Sequence, residues 1–185
     1  MMLLKHAALQ FGIALVMFTL WTAADSWYLL TELPIAGALS IILAALAGAA
    51  VSTVIHEWFH FGGAIASGSA YSIPEKFGFF VYDFDYEKNT LRQFNIMSLA
   101  GQAGSWLTVF GLWWLIPMDN PGRIMLVCGA VGSAIFGGMI EWPVIRRSQH
   151  SGEPFAELSK IDGGVLKRSA MGGFGSGLVL WLIAA

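Results

Sequence analysis

The chain has 185 residues, of which 56% are hydrophobic and only 12% charged, with a formal net charge of −2 and a mean hydropathy of +0.65. An ordinary soluble domain is about 25% charged, so this sequence carries roughly half the charge needed to cover a globular surface. That excludes intrinsic disorder, a nucleic-acid-binding basic patch and most soluble enzymes. Cys128 is the one cysteine, which leaves neither an intrachain disulfide framework nor a cysteine-rich metal cluster. Its apolar neighbours predict an inert, buried thiol. The class that remains is an all-α integral membrane protein built as a single transmembrane domain.

A spanning helix needs about 20 apolar residues, and five stretches meet that expectation, at 7–30, 35–66, 96–116, 124–141 and 164–184. The fourth is short, and the first is interrupted by Asp25. Its flanking Lys5 and the small residues Ala23-Ala24 imitate a secretory signal, but Trp21, Trp27 and Tyr28 read as the aromatic belt of a helix that stays. The second is almost free of charge from Ile35 to Val54 and is expected to continue through His60 to Ala66. Pro117 and Pro121 bracket the turn between the third and fourth, and Pro143 is expected to stop the fourth.

Lysine and arginine fix the orientation. Lys5 precedes the first helix, and the next connection holds Glu32 without a basic residue. Lys76, Lys88 and Arg92 follow the second helix, Arg123 alone lies in the turn after the third, and Arg146, Arg147, Lys160, Lys167 and Arg168 surround the last loop. The bias predicts an inner (plasma) membrane protein with its N-terminus and both long loops cytoplasmic and its C-terminus outside.

Between the second and third helices the character changes. Phe79, Val81, Asp83 and Asp85 alternate with Phe80, Tyr82, Phe84 and Tyr86, the period of a strand with one aromatic face. Lys76-Phe77-Gly78 supplies a turn, so a short β-like hairpin is expected from Tyr71 to Tyr86. The glycines inside the apolar helices, among them Gly101, Gly104, Gly132 and Gly173, predict close helix contacts in lipid.

The chemistry sits at the end of the second helix, in His56-Glu57-Trp58-Phe59-His60. Positions i and i+4 share a helix face, so both imidazoles can meet one ion, and Glu57 beside them can take a proton from water. Ionisable groups in an apolar span are costly and by default functional. A third protein ligand is needed to leave one position open. Asp162, Glu141, His150, Asp83 and Asp85 are the candidates. Asp162 precedes the fifth helix on the same side as His56, although aspartate there also makes a good helix N-cap. Glu141, in Glu141-Trp142-Pro143, reads rather as an interfacial carboxylate. Two histidines and a carboxylate suit zinc, and iron as well.

Three separated segments resemble the site-2 protease family of intramembrane zinc metalloproteases. His56 to Gly68 matches its H-E-x-x-H-x-x-x-A-x-x-x-G pattern, Ile96 to Ser105 is similar to its A-G-P-x-x-N segment, and Ile161-Asp162-Gly163-Gly164 is similar to its L-D-G-G segment. The resemblance implies that His56, His60 and Asp162 hold Zn2+ while Glu57 activates water to hydrolyse a peptide bond in or near a transmembrane segment. It also implies that the aromatic stretch pairs with an unwound substrate. Gln102 replaces the proline of the second pattern, Ser105 replaces its asparagine, and Phe59 stands where many members have glycine. The alternative is a structural or assembly subunit of a larger membrane complex that keeps the metal without proteolysis. The partners expected are the lipid bilayer and a membrane protein or transmembrane peptide, with no nucleic acid.

Overall fold

A computed structural model describes residues 1–78 and 80–185. The chain runs α1 (Met2–Thr31), α2 (Pro34–Ala66), β1 (Tyr71–Ser72), β2 (Asp83–Phe84), α3 (Leu91–Leu115), α4 (Pro121–Ser151), α5 (Pro154–Leu158) and α6 (Gly163–Ala184). Three of the helices, α1, α2 and α4, are long and apolar enough to cross a membrane. At 33 residues, α2 extends about 50 Å at 1.5 Å per residue.

Side-chain contacts give the direction of each helix. Asp25 meets Ser40 and Gln10 meets Trp58, so α1 runs antiparallel to α2. His60 reaches Met97 and His56 reaches Ser105, so α3 is antiparallel to α2 as well. Thr53 pairs with Ser133 and His56 with Glu141, which makes α4 parallel to α2. Gly132 abuts Gly173 while Gly177 abuts the Cys128 carbonyl, so α6 returns antiparallel along α4.

The packed faces are built from small residues. Ala36, Ala44, Ala47 and Ala64 of α2 are completely buried, and at Gly48 an added methyl would run into the Leu126 carbonyl of α4. Large apolar side chains face outward instead: Trp114 is 81% exposed and Ile183 79%. That inversion suits a bundle whose surroundings are themselves apolar, where close backbone contact replaces the hydrophobic effect. Cys128 is buried and unpaired, as its neighbours predicted.

Several helix boundaries differ from the sequence expectation. α3 begins at Leu91, five residues early, because Thr90 and Gln93 form a reciprocal capping box. Pro143 does not stop α4, which continues to Ser151 and ends on Gly152 in the left-handed conformation. Proline removes one helical hydrogen bond, but the turn beyond it buries Val144 and Ile145 in a cluster with Phe61, Phe94 and Met97. Arg147, one turn further, pairs with Glu157 of α5 at 2.8 Å.

The hairpin is shorter than its alternation implied. Tyr71 pairs with Phe84 and Ser72 with Asp83 in antiparallel register, and no further ladder forms among the described residues. The single aromatic face is not borne out either. Val81 and Tyr82 are both buried although adjacent, while Phe80 is exposed; Phe79 lies outside the described residues. Packing against Phe61 and Val144, rather than sheet period, sets which side chains turn inward. His6, fully buried at the start of α1, donates from Nε2 to the Pro74 carbonyl at 3.2 Å and packs on Phe77, tying the hairpin loop to the bundle.

At the opposite end, Asp25 does not interrupt α1. Its carboxylate is 4% exposed and accepts from Ser40 Oγ (3.2 Å), Asn120 Nδ2 (3.1 Å) and Arg123 Nε (3.0 Å). Removing one partner of a buried ion pair leaves the other uncompensated and costs about 3–5 kcal/mol. Asp25→Ala is therefore expected to lower stability by roughly 3 kcal/mol, read as a drop in Tm of the detergent-solubilised protein, whereas Asp119→Ala at the exposed side of Arg123 should change it little.

Candidate metal centre

The helical repeat places His56 and His60 one turn apart on the face of α2 that meets both α3 and α4. Their rings stand nearly perpendicular, with centroids 4.3 Å apart. His56 Nδ1 lies 2.9 Å from the Gly101 carbonyl and 2.9 Å from Ser105 Oγ. His60 Nδ1 lies 2.9 Å from the Met97 carbonyl. A carbonyl oxygen only accepts, so both Nδ1 atoms carry the proton and donate. The same α3 segment makes room for the rings. Gly101 sits directly under the His60 imidazole, and a methyl group there would collide with it.

With both Nδ1 atoms committed, both Nε2 atoms of the neutral rings present lone pairs. They face each other at 2.9 Å. Glu141 Oε1, from α4, lies 2.8 Å from His56 Nε2 and 3.1 Å from His60 Nε2. Gln102 Nε2 donates to the other oxygen of Glu141 at 2.9 Å and so aims Oε1 at the histidines. Three acceptors thus converge with no donor among them. A single proton bridges one pair at most; a divalent cation meets all three and offsets the carboxylate charge. Two imidazoles and a carboxylate are the donor set that zinc or iron takes, and donation from each Nδ1 to a backbone carbonyl is what orients metal-bound histidines.

Glu57 completes the group. His56, Glu57 and His60 offer ligand atoms within 4.8 Å of one another, and Glu57 is 6% exposed. It lines a cavity of about 580 Å³ together with His60 and Glu141, within the 300–1,000 Å³ range usual for ligand sites. The walls come from β2 and the residues before it (Phe80, Tyr82, Asp83, Phe84), from α3 and α4, and from α5 and Ile161.

The other residues singled out in the sequence lie as follows. Asp162 is exposed and caps α6, its Oδ1 accepting from the Val165 amide at 2.8 Å, and it is not in the group whose ligand atoms cluster around the two imidazoles. His150 is exposed near the end of α4. Asp83 reaches the cavity wall, while Asp85 pairs with Lys88 at 2.7 Å, whose ammonium holds the Asp85 carboxyl below its ordinary range. Phe59 does not crowd the centre: it packs over Gly104 and is 38% exposed. Glu141 carries the largest difference between sequence and structure. A helix ending at Pro143 would have left it at an interface, whereas the continuous α4 places it level with His56. The sequence reading as an interfacial carboxylate passed it over; a lone carboxylate at the end of an apolar span was the signal that could have found it.

No protein-family model, curated protein or solved structure matches this chain.

The carboxylate that completes the centre can be identified directly. Purified His56→Ala and Glu141→Ala should each lose most of the transition metal measured by elemental analysis. Asp162→Ala should retain it and lose only about 1 kcal/mol of stability from its missing N-cap.

Proposed function

We infer that this protein is a zinc-dependent intramembrane peptidase, a divergent relative of the site-2 proteases, with His56, His60 and Glu141 as its metal ligands. The observation that carries the reading is the convergence of His56 Nε2, His60 Nε2 and Glu141 Oε1 beside the buried Glu57, at the floor of an open cavity. Bound there, zinc would supply the Lewis acidity that polarises a carbonyl and acidifies water.

The chain's own residues do the rest. Glu57 accepts a proton from the attacking water and returns it to the departing amine, as a general base and then a general acid. Gln102 and Ser105, the departures within the second family pattern, hold Glu141 and His56 in place. They are positioning residues for the metal centre in this chain. The aromatic and aliphatic walls, from Phe80, Phe84, Phe94, Ile140 and Val144, suit an apolar peptide and exclude bulk water from it.

In this reading all five long helices span the membrane, with the N-terminus, the hairpin and α5 on the cytoplasmic side. The lysine and arginine bias and the alternating helix directions both support it. His56 lies about 33 Å along α2 from Pro34 at 1.5 Å per residue, near the far edge of a hydrocarbon layer about 30 Å thick. Water can therefore enter from the hairpin side while a substrate arrives from the bilayer. A purely structural metal would be sealed by protein; the open cavity at Glu57 and His60 favours catalysis over the assembly-subunit reading.

Glu57→Gln should keep fold and metal yet lose ~10²–10⁴-fold in rate, so cells carrying it should accumulate the same uncleaved membrane proteins as a deletion strain. If the membrane proteome of Glu57→Gln matches wild type while the deletion shows a defect, the assembly-subunit reading replaces this one. Cysteine labelling should find positions 76 and 146 on one face of the membrane; opposite faces would break the five-span arrangement.

A further inference from the structure

Hydrolysis of an amide puts negative charge on the former carbonyl oxygen, and a preorganised donor aimed at that oxygen is a major source of rate. The side chains that replace the asparagine and the proline of the family pattern are occupied elsewhere: Ser105 lies against His56 Nδ1, and the Gln102 amide nitrogen serves Glu141. The described cavity wall holds no lysine or arginine. Apart from His60, its side-chain donors are the hydroxyls of Tyr82, Tyr86, Ser98 and Ser159.

Tyr82 is distinguished by how it is held. It is 7% exposed, follows the fully buried Val81 and precedes Asp83, whose register against Ser72 fixes the backbone. Its ring lies 5.3 Å from Phe61, the residue after His60, and 6.2 Å from Tyr71. Tyr86 instead packs among Phe84, Phe94 and Phe155 on the α5 side. Burial first, then Tyr86 and the negative charges of Glu57 and Glu141, push the Tyr82 hydroxyl well above its ordinary ionisation range. It stays a donor at physiological pH, and it lines the same cavity as both carboxylates.

We propose that Tyr82 is a further catalytic residue, its phenolic O–H donating to the oxyanion that forms on the scissile carbonyl; this rests on the hydrolytic reading above. Attack by water forms the new C–O bond and moves the carbonyl π pair onto oxygen, while one water proton passes to Glu57. The Tyr82 hydrogen bond strengthens as that charge develops, and the phenol keeps its proton. Collapse restores the carbonyl, breaks the C–N bond and carries the proton from Glu57 to the leaving nitrogen.

Tyr82→Phe removes the hydroxyl and keeps the ring contacts with Phe61 and Tyr71. Using the metal-loaded protein and a peptide from a membrane protein that accumulates in Glu57→Gln cells, kcat should fall about 10²–10³-fold with KM nearly unchanged. Direct binding of a phosphinic peptide, a mimic of the tetrahedral oxyanion, should weaken by a comparable factor, while metal content and Tm stay at wild-type values. Wild-type kcat and phosphinate affinity in Tyr82→Phe, with Glu57→Gln inactive, overturn the Tyr82 assignment alone. Loss of metal from Tyr82→Phe also overturns it, by making the tyrosine a support of the centre. Identical products from wild type and Glu57→Gln overturn the hydrolytic reading, and Tyr82 with it.

Discussion

Two imidazole lone pairs and a carboxylate oxygen pressed together without a donor form the constraint around which this bundle is arranged. Each Nδ1 is already spent on a carbonyl of α3, so neither ring can turn to relieve the contact. In a low-dielectric interior unpaired polar groups are expensive, and a cation is the natural counterpart of three acceptors. The same three groups tie α2 to α4, and their second contacts tie both to α3. Helix register and the geometry of the candidate metal site are therefore one property here. A slip of α3 along α2 by one turn would strip the donations from both rings.

Glycine and alanine make that register attainable. The missing side chain of Gly101 lets the His60 ring lie against the α3 backbone, and Gly48 lets α2 touch the backbone of α4. Bulky residues at these positions would hold the helices apart and carry the Nε2 atoms away from Glu141. The large side chains have been moved to the outside, where Trp113, Trp114 and Leu115 have no protein to cover them. α1 contributes nothing to the donor set, yet it braces the centre from both directions. Gln10 accepts from Trp58 two residues beyond His56, His6 secures the loop above the cavity, and Asp25 locks the far end through Arg123.

The cavity is where the irregular segments acquire a purpose. Two residue pairs of sheet are too few to be stable alone, and the hairpin persists because Val81 and Tyr82 are buried against α2 and α4. α5 closes the other wall, held by Arg147 and Lys160 on either oxygen of Glu157. The alternation around Tyr82 declared the hairpin in sequence but not its length, and α5, five residues long, has no periodic pattern to declare it.

Composition, apolar runs and the i, i+4 spacing of His56 and His60 determined the helical class, the long helices and the position of the paired imidazoles with Glu57 next to them. These depend on local periodicity, which a sequence carries in full. The partner carboxylate was another matter. Glu141 lies eighty-five residues from His56, two residues before a proline that local rules read as a helix end, and Asp162 had an equally local signature as cap or ligand. Only the tertiary structure brings Glu141 to the imidazoles and leaves Asp162 on its own helix end: α4 runs on past Pro143 because burial of Val144 and Ile145 outweighs the one hydrogen bond that the proline removes. The same tertiary contacts set Gln102 on Glu141, Ser105 on His56 and Tyr82 in the cavity wall, each according to which helix or loop faces it across the bundle.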